Sequence, residues 1–342
     1  MATLTQPPPP VPTGSDIPTY SQVPETSFDL DWADLATLDL SLFDQPGGKD
    51  QLAKQLFDAI QNIGFFYITN FGLSQEDVDR QFSIGKEIFK LPVEEKLKFR
   101  AELEKGGYNG YKPMGLREIS PGVYDNTEIY NIPKFIPALE LPQPDIVNRN
   151  RPIIEGFARH IHDQIVAKLL TLFAIILELP EDYFLKVHRY DEKSDCHLRY
   201  MKYHQRTAEE NEKAAGIWSK GHTDFGSLTL LFRQPVAALQ VRTPEGEWNI
   251  HRVVAPPPDQ RNVDRLGVLY FVRPEDSLEL RPVVSEVLHR LGYDQTTDNS
   301  AVGITAGEWV KARVAKGVDK GVARSEVGDQ PIIGGVIAKY YD

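Results

Sequence analysis

The second half of the chain contains five short segments that favour β-structure, and this series limits the fold more than any other feature. The segments cover residues 196–203, 227–232, 238–242, 251–254 and 266–272. Turn-forming residues lie between them, such as Pro244-Glu245-Gly246 between the third and the fourth. Many short strands joined by turns are typical of a β-sandwich or jelly roll. The sequence therefore predicts such a core for residues 191–277.

Two histidines and an aspartate in this region form a candidate metal site. Residues two apart in an extended strand point to the same face, so His222 and Asp224 direct an imidazole and a carboxylate to one point. His251 lies on the next part of the chain that could run beside them. Two histidines and one carboxylate leave the opposite positions of a metal open, which is the ligand set of non-haem Fe(II) oxygenases. A single His-x-Asp triplet is usually a surface accident, so this prediction depends on the rest of the chain.

The remaining residues divide into a tail and regions rich in helix. Residues 1–27 are rich in proline and are predicted to be a disordered tail. Residues 28–147 are predicted to form a support region of helices and a strand, which includes a Gly- and Tyr-rich part that either lines a pocket or forms an irregular cover. In the region 148–190, an apolar stripe predicts one long helix over residues 151–179. Residues 278–342 are predicted to form a C-terminal helical region.

Composition and charge exclude several classes of protein. The net charge of −11 argues against a nucleic-acid partner or an anionic membrane surface. The single cysteine, Cys196, excludes an internal disulfide and fits a reducing compartment. The sequence has no apolar run of about 18 residues, and its N-terminus lacks the pattern of a secretory signal. We therefore expect a cytoplasmic protein without a nucleic-acid or membrane partner, and we expect it to be a monomer.

Several segments, in this order along the chain, resemble one enzyme family. They are residues 62–72, 89–96, 107–115 and 198–203, the metal motif itself, and Gly307-Glu308-Trp309 with Arg313. This set resembles the 2-oxoglutarate/Fe(II)-dependent dioxygenases, in the isopenicillin-N-synthase-like branch, from about residue 28 to about residue 324. The resemblance implies an α+β fold in which helices flank a double-stranded β-helix, or jelly roll. It also implies Fe(II) held by His222, Asp224 and His251, with O2 as a substrate and ascorbate as a possible reductant.

The resemblance also implies a binding site for 2-oxoglutarate as co-substrate. In this family an arginine on a later strand, in an Arg-x-Ser motif, binds the far carboxylate, because its planar fork matches a carboxylate. Arg265 occupies that position here, Gly267 replaces the serine, and Arg261 is a competing candidate. The family's Asn-x-Tyr motif corresponds to residues 201–203, in which Tyr203 is retained and Met201 departs.

The link between two of the expected iron ligands is short. Only 26 residues, 225–250, separate Asp224 from His251. The family usually has more, and they form strands that carry the chain across the jelly roll. The sequence therefore predicts a jelly roll shortened by roughly two strands.

Three functions remain open from the sequence. The first is a 2-oxoglutarate- and Fe(II)-dependent dioxygenase that hydroxylates, desaturates or cyclises a small organic metabolite, as in specialised metabolism. The second is a truncated, non-catalytic relative that keeps the fold without turnover. The third is a metal-dependent hydrolase that uses the same three ligands on zinc.

Overall fold

The computed structural model describes residues 17–242, 250–293, 303–318 and 328–340, and its helices pack around two antiparallel sheets. The strands are β1 Thr37–Asp39, β2 Tyr67–Thr69, β3 Gly110–Lys112, β4 Glu118–Ser120, β5 Val123–Tyr124, β6 Thr127–Pro133, β7 His197–Tyr203, β8 Ile217–His222, β9 Leu228–Leu231, β10 Leu239–Val241, β11 His251–Val254, β12 Arg265–Val272, β13 Gly328–Ile333 and β14 Val336–Tyr340. The helices are α1 Gly48–Asn62, α2 Gln75–Lys90, α3 Val93–Leu97, α4 Asp145–Arg149, α5 Arg151–His160, α6 Ala167–Ile176, α7 Ala208–Lys213, α8 Glu286–Arg290 and α9 Ala306–Lys316, and a π-helical turn, Ile161–Val166, joins α5 to α6. Within these residues every helix is too short or too polar to cross a membrane.

The larger sheet has the strand order β3-β6-β7-β12-β9, and all its neighbouring strands are antiparallel. Because side chains alternate along a strand, its two faces differ. Leu198, Tyr200 and Val268 lie on the face that packs against the helices, and they belong to the main hydrophobic core. Arg199 and Tyr203 alternate with them and therefore lie on the opposite face, toward the smaller sheet.

Helix α2 packs closely on the helix-facing side of the larger sheet. It begins with a capping box, in which Ser74 and Asp77 satisfy each other's backbone N–H groups. A Cβ atom on Gly85 would lie 2.9 Å from Tyr200 Cδ1, so the glycine allows this close approach. The Tyr200 hydroxyl then donates to Gln81 Oε1 at 2.7 Å. The helix and the central strand β7 are thus fixed to each other by packing and by a buried hydrogen bond.

The smaller sheet has the order β10-β11-β8 and faces the larger sheet through a second apolar cluster. In it Tyr203 of β7 and Trp218 of β8 stack with their ring centroids 6.2 Å apart, and Val253 of β11 packs beside them. Two sheets joined face to face by an apolar core confirm the predicted α+β fold with a jelly-roll core. The described part of residues 191–277 contains six strands, β7 to β12, whereas a jelly roll has roughly eight.

The low strand number is accompanied by exposed apolar side chains beside the short link. Leu231 at the end of β9 and Leu239 at the start of β10 are each 39% exposed. Additional strands would cover such side chains and pair with the backbone groups at the sheet edge. We attribute this exposure to the shortening that the sequence predicts.

The long helix predicted for residues 151–179 is a continuous helical path that runs through α5, the π-helical turn and α6. It ends at Ile176, before the predicted end. Glu178 has a φ of 54°, a left-handed conformation that a right-handed helix does not contain, and Pro180 follows it. Residues 177–190 therefore form turns and a short 3-10 helix, Leu185–Val187.

The beginning of the chain also differs from its prediction. Residues 1–16 of the predicted disordered tail lie outside the described residues, but residues 17–27 pack on the fold. Tyr20 stacks on Phe82 of α2 with ring centroids 5.1 Å apart, and its backbone N–H donates to Ser83 Oγ at 2.9 Å. Gln260 donates to the Pro24 carbonyl oxygen at 2.8 Å. The disordered assignment is therefore wrong for residues 17–27, because aromatic stacking and long-range hydrogen bonds order them.

Two other regions contain strands where helix or loop is predicted. Residues 278–342, predicted as helical, hold α8 and α9 but also the antiparallel hairpin of β13 and β14. The Gly- and Tyr-rich part of residues 28–147 supplies β3 and β6 to the larger sheet. Strand β6 pairs with β7 along its whole length, so this part of the chain extends the jelly roll as well as covering it.

A buried polar network ties helix α3 to the end of β7 that carries Tyr203. Glu128 of β6 accepts hydrogen bonds from Lys96 of α3, from the Tyr111 hydroxyl at 2.8 Å and from His204 Nε2 at 2.7 Å. Burial by itself would raise the pKa of Glu128, but these hydrogen bonds outweigh it and lower the pKa to about 2. Since His204 follows Tyr203 directly, the network fixes the backbone at the C-terminal end of β7.

We predict that Glu128→Gln lowers the free energy of unfolding at neutral pH by about 3–5 kcal/mol, because Lys96 then keeps a buried charge without its partner. The folded-state pKa of Glu128 lies below its unfolded value of about 4.3, so its contribution is present above that pH and is lost as the pH falls toward 2. Chemical denaturation between neutral pH and pH 3 measures both effects. The exposed Glu192→Gln is the control, with a change within about 0.5 kcal/mol. Equal stability of the Glu128 and Glu192 variants at neutral pH would contradict this role.

Candidate metal and co-substrate site

The three expected metal ligands meet where the smaller sheet passes the chain to the larger one. His222 ends β8 and lies opposite His251, the first residue of β11, in the antiparallel register. Asp224 follows His222 by two residues, before the chain enters β9. His222 Nε2 lies 3.7 Å and His251 Nε2 lies 4.0 Å from Asp224 Oδ1. One ligand atom from each residue lies within 4.8 Å of the others, so all three atoms can reach a common metal ion.

Hydrogen bonds and packing orient these side chains. His222 Nδ1–H donates to the Lys220 carbonyl oxygen at 2.8 Å, which leaves the lone pair of Nε2 free to bind a metal. The Phe65 ring meets the His251 ring edge-on with centroids 5.6 Å apart. The Thr229 side chain of β9 hydrogen-bonds Asp224. Each ligand is thus held by a neighbour that does not itself compete for the metal.

The protonation states of the ligands favour metal binding at neutral pH. Although 35% of the His222 side chain is exposed, the surrounding protein atoms desolvate the ring and, with His251, lower the pKa of His222 to about 4. Burial by itself would raise the pKa of Asp224, but His251, His222 and the Thr229 hydrogen bond lower it below its usual range. A neutral imidazole and an ionised carboxylate are the forms that bind metals.

The recess formed by His222, Asp224 and His251 is open to solvent on one side. The exposed fractions of the side chains are 35% for His222, 31% for Asp224 and 15% for His251. A metal held by these three residues would keep positions for small molecules on the open side, as the sites of catalytic metals require.

Arg265 lies on the face of the larger sheet that looks into the jelly roll. It begins β12 opposite Tyr203 of β7, and its guanidinium is 5.5 Å from the centre of the Tyr203 ring. The residue is 4% exposed, and its Nε has no hydrogen-bond partner. In the described residues no carboxylate lies within ion-pair distance of it. A buried guanidinium without an anion is costly, and an anionic group bound beside Arg265 would offset that cost.

The competing candidate, Arg261, has a different environment. It is exposed and donates from Nε to the Pro256 carbonyl oxygen at 3.3 Å. An arginine whose charge remains in water has no need of an anion from a ligand. The geometry therefore favours Arg265 as the carboxylate receptor.

The two departures from the family motifs lie side by side. Gly267 pairs with Met201 in the register of β12 and β7. A Cβ atom on Gly267 would lie 3.4 Å from Leu269 Cδ1, which is ordinary contact, so packing does not exclude a larger residue there. Gly267 in place of the family's serine therefore removes a hydroxyl donor, and steric crowding does not require this replacement.

The interior face carries two further arginines that the sequence-based prediction did not include. Arg199 of β7 and Arg273, which follows β12, are 5% and 2% exposed. A Cβ on Gly226, which has a φ of 106°, would collide with the Arg273 guanidinium, so the glycine next to the metal motif makes room for this side chain. Side chains two apart in a strand share a face, so the alternation that places Tyr203 and Arg265 inward also places Arg199 and Arg273 inward. This alternation could have identified the two arginines from the sequence.

Comparisons with known proteins show what the chain is similar to. The family model described as the N-terminal part of the non-haem dioxygenases in morphine synthesis matches residues 35–151. The UPF0676 protein C1494.01 of Schizosaccharomyces pombe is 29% identical over 77% of this chain and 87% of its own length. The 2-oxoglutarate-Fe(II) type oxidoreductase ppzC of Metarhizium rileyi is 28% identical over 58% of this chain and 59% of its own length.

A solved structure shows the same fold. A full-length protein of Neurospora crassa, solved in complex with alpha-KG, superposes with a TM-score of 0.69 at 22% identity, over 86% of this chain and 100% of that protein. The order of the elements, the family match and the named relatives point to one assignment. The family match over residues 35–151 and the named relatives support the 2-oxoglutarate/Fe(II)-dependent dioxygenase family of oxidoreductases for this chain.

Proposed function

We propose that this protein uses Fe(II) and 2-oxoglutarate to oxidise a small organic metabolite, by hydroxylation, desaturation or cyclisation, in specialised metabolism. One observation carries the proposal: the jelly roll holds both a two-histidine, one-carboxylate recess and a buried arginine that lacks an anion. The first fits a ferrous ion and the second fits the far carboxylate of 2-oxoglutarate. Iron and 2-oxoglutarate are the cofactor and co-substrate of the family that the comparisons support.

The roles of the side chains follow from their positions. His222, Asp224 and His251 are proposed to hold iron on one side and to leave the other side open. Arg265 is proposed to bind the far carboxylate, with Tyr203 fixed beside it by stacking on Trp218. Iron, when bound, supplies the redox chemistry with O2. The protein supplies orientation and an interior shielded from bulk water.

A metal-dependent hydrolase could use the same three ligands on zinc. Such an enzyme would have no use for a buried, unpaired arginine on the facing sheet. Arg265 therefore favours the dioxygenase over the hydrolase.

The non-catalytic alternative rests on the shortened jelly roll. Leu231 and Leu239 are exposed beside the link between two of the ligands. The His251–His222 pairing nevertheless survives the short link, so the ligand set itself is complete. The cytoplasmic location and the monomeric state stay predictions from the composition.

The metal assignment predicts that Asp224→Ala abolishes specific Fe(II) binding, because two imidazoles alone hold a ferrous ion weakly. An anaerobic Fe(II) titration followed by calorimetry measures it. Asp191→Ala removes a carboxylate that is 80% exposed and far from the recess in sequence, and it should bind Fe(II) like the unchanged protein. Unchanged affinity in the Asp224 variant would remove the assignment.

The co-substrate assignment predicts that Arg265→Ala weakens 2-oxoglutarate binding by about 2–4 kcal/mol, the worth of a charge-assisted bidentate pair. Arg261→Ala is the matched control and should leave the affinity unchanged, since Arg261 is exposed. Binding is measured without O2 in the presence of Fe(II). Weaker binding in the Arg261 variant alone would show that the wrong arginine has been assigned.

The function is tested by succinate release from 2-oxoglutarate with iron and ascorbate, in the protein as it is and with a family-like insert. We predict that an insert of about 30 residues between Trp248 and His251, sized from the missing strands, raises both the melting temperature and succinate release, because it covers Leu231 and Leu239. The insertion point adjoins residues 243–249, which lie outside the described residues. An insert of equal length made of Gly and Ser is the control, because it adds the same length of chain without forming strands. No succinate from either the native or the family-like form would favour the non-catalytic alternative. Full activity without any gain would show that the deletion is tolerated.

A further inference from the structure

A buried arginine distinct from Arg265 faces the interior of the jelly roll in the middle of the larger sheet. Arg199 lies on β7 two residues from Met201 and four from Tyr203, so it shares their face. Its neighbours in the sheet register are Asn131 of β6 and Leu269 of β12. At 5% exposure its charge is removed from water.

The close hydrogen-bond partners of Arg199 are neutral side chains. Nε donates to Asn131 Oδ1 at 2.8 Å, and Nη2 donates to His197 Nε2 at 3.2 Å. His197 accepts there because its Nδ1–H donates to the Asp195 carbonyl oxygen at 2.8 Å, and burial followed by the charges of Arg199 and Arg273 keeps its pKa well below the ordinary value. The guanidinium also lies 4.2 Å from the centre of the Phe271 ring and 4.7 Å from that of Tyr108, whose side chain hydrogen-bonds it.

Carboxylates do not balance this charge. In the described ranges Arg199 forms no ion pair, and its hydrogen bonds to three neighbours leave donors of the five-donor guanidinium unused. Asp195 is a carboxyl group whose charge interacts with Arg199, but burial raises its pKa to about 7 and its Oδ2 has no hydrogen-bond partner. It is therefore only partly ionised at neutral pH. An unbalanced buried cation is costly unless a ligand brings the anion.

The position of Arg199 separates it from the co-substrate receptor and places it beside the metal loop. On β7 it is four residues from Tyr203, which pairs with Arg265, and this is about 13 Å along a strand. In the pairing of β12 with β9, Leu269 lies opposite Leu231, and Phe271 lies opposite Thr229. Thr229 is the residue that hydrogen-bonds Asp224. Two carboxylates can therefore be bound at once, one at Arg265 and one at Arg199.

The surroundings of Arg199 combine aromatic rings with a strand at the sheet edge. Tyr108 and Phe225, the residue after Asp224, both pack against a third apolar cluster. Leu231 of the edge strand lies in the same register row as Arg199 and is 39% exposed. Arg199 is thus a buried cation among apolar neighbours, in the sheet that also carries Thr229, the hydrogen-bond partner of Asp224.

We propose that Arg199 binds a carboxylate of the organic substrate beside Tyr108, so that the substrate is a small organic acid with an apolar body. This inference rests on the proposed function, because the acid is oxidised by iron held at His222, Asp224 and His251. Binding the carboxylate at Arg199 fixes which part of the apolar body faces the open side of the metal. Arg199 is in this sense a specificity-determining residue.

The test uses matched pairs of acids and their primary amides, which differ in charge but hardly in shape. Hexanoate with hexanamide and phenylacetate with phenylacetamide are titrated into the protein loaded with Fe(II) and 2-oxoglutarate without O2. We expect at least one acid to bind about tenfold or more tightly than its amide, because only the acid forms a charge-assisted pair. Calorimetry gives the affinities, and the melting temperature is the second readout.

The variants assign this preference to Arg199. Arg199→Gln should bind acid and amide equally weakly while its affinity for 2-oxoglutarate stays that of the unchanged protein. Arg199→Lys keeps the charge and should keep part of the preference. Arg281→Gln, which removes an exposed arginine paired with Glu279, should keep all of it. If Arg199→Gln does not fold, Arg199→Met replaces it, since it keeps an apolar stem without the charge and should abolish the preference for the acid.

Each outcome decides the inference. No preference for either acid in the unchanged protein, or an undiminished preference in the Arg199→Gln or Arg199→Met variant, would overturn it. The same titrations in the metal-free protein separate this inference from the proposed function. Acid binding that needs Arg199 while Fe(II) or 2-oxoglutarate fails to bind would refute the proposed function alone. Normal Fe(II) and 2-oxoglutarate binding without acid preference would refute this inference alone.

Discussion

The antiparallel pairing of β7 with β12 is the constraint on which the rest of the structure depends. Seven residue pairs, from Arg265 with Tyr203 to Phe271 with His197, fix the two strands in one register. Because side chains alternate, this register sends Leu198 and Tyr200 into the helix-packed core and sends Arg199 and Tyr203 into the jelly roll. A slip of one residue would exchange the two sets and place two arginines in the apolar core. The stability of the fold and the chemistry of its interior are therefore decided by the same register.

The second constraint is the pairing of β8 with β11, which brings His251 opposite His222 despite the short link. An extended residue spans at most about 3.6 Å, so 26 residues are ample to turn back and reach the metal recess. What the short link does not provide is cover, and Leu231 and Leu239 remain exposed. The ligand geometry and the covering strands are thus separable: the described part of the chain keeps the first and lacks the second.

The interior is unusual in its balance of charge. Arg199, Arg265 and Arg273 are all at most 5% exposed, and in the part of the chain that the structure describes none of them forms an ion pair with a carboxylate. Among the described residues two buried lysines are paired with carboxylates, Lys96 with Glu128 and Lys112 with Asp125. The buried Lys134 and Arg206 instead donate to backbone carbonyl oxygens. The three interior arginines suit anions from outside, and an acidic co-substrate and an acidic substrate would provide them. The overall net charge of −11 gives no sign of this local excess of positive charge.

The sequence by itself determined the features that depend on local pattern. The short strands and the turn residues predicted a sandwich or jelly roll, and the His-x-Asp spacing brought two of the three candidate ligands together. The position of Arg265 at the head of an apolar strand favoured it over Arg261 as the candidate carboxylate receptor. The sequence did not reveal that residues 17–27 pack on α2, or that the helix after residue 150 ends at Ile176, because distant contacts and a single left-handed residue decide these points. Only the tertiary structure decided that no carboxylate of the described residues forms an ion pair with Arg199 or Arg265. Whether a buried charge has a partner depends on all the segments packed around it and not on any one of them.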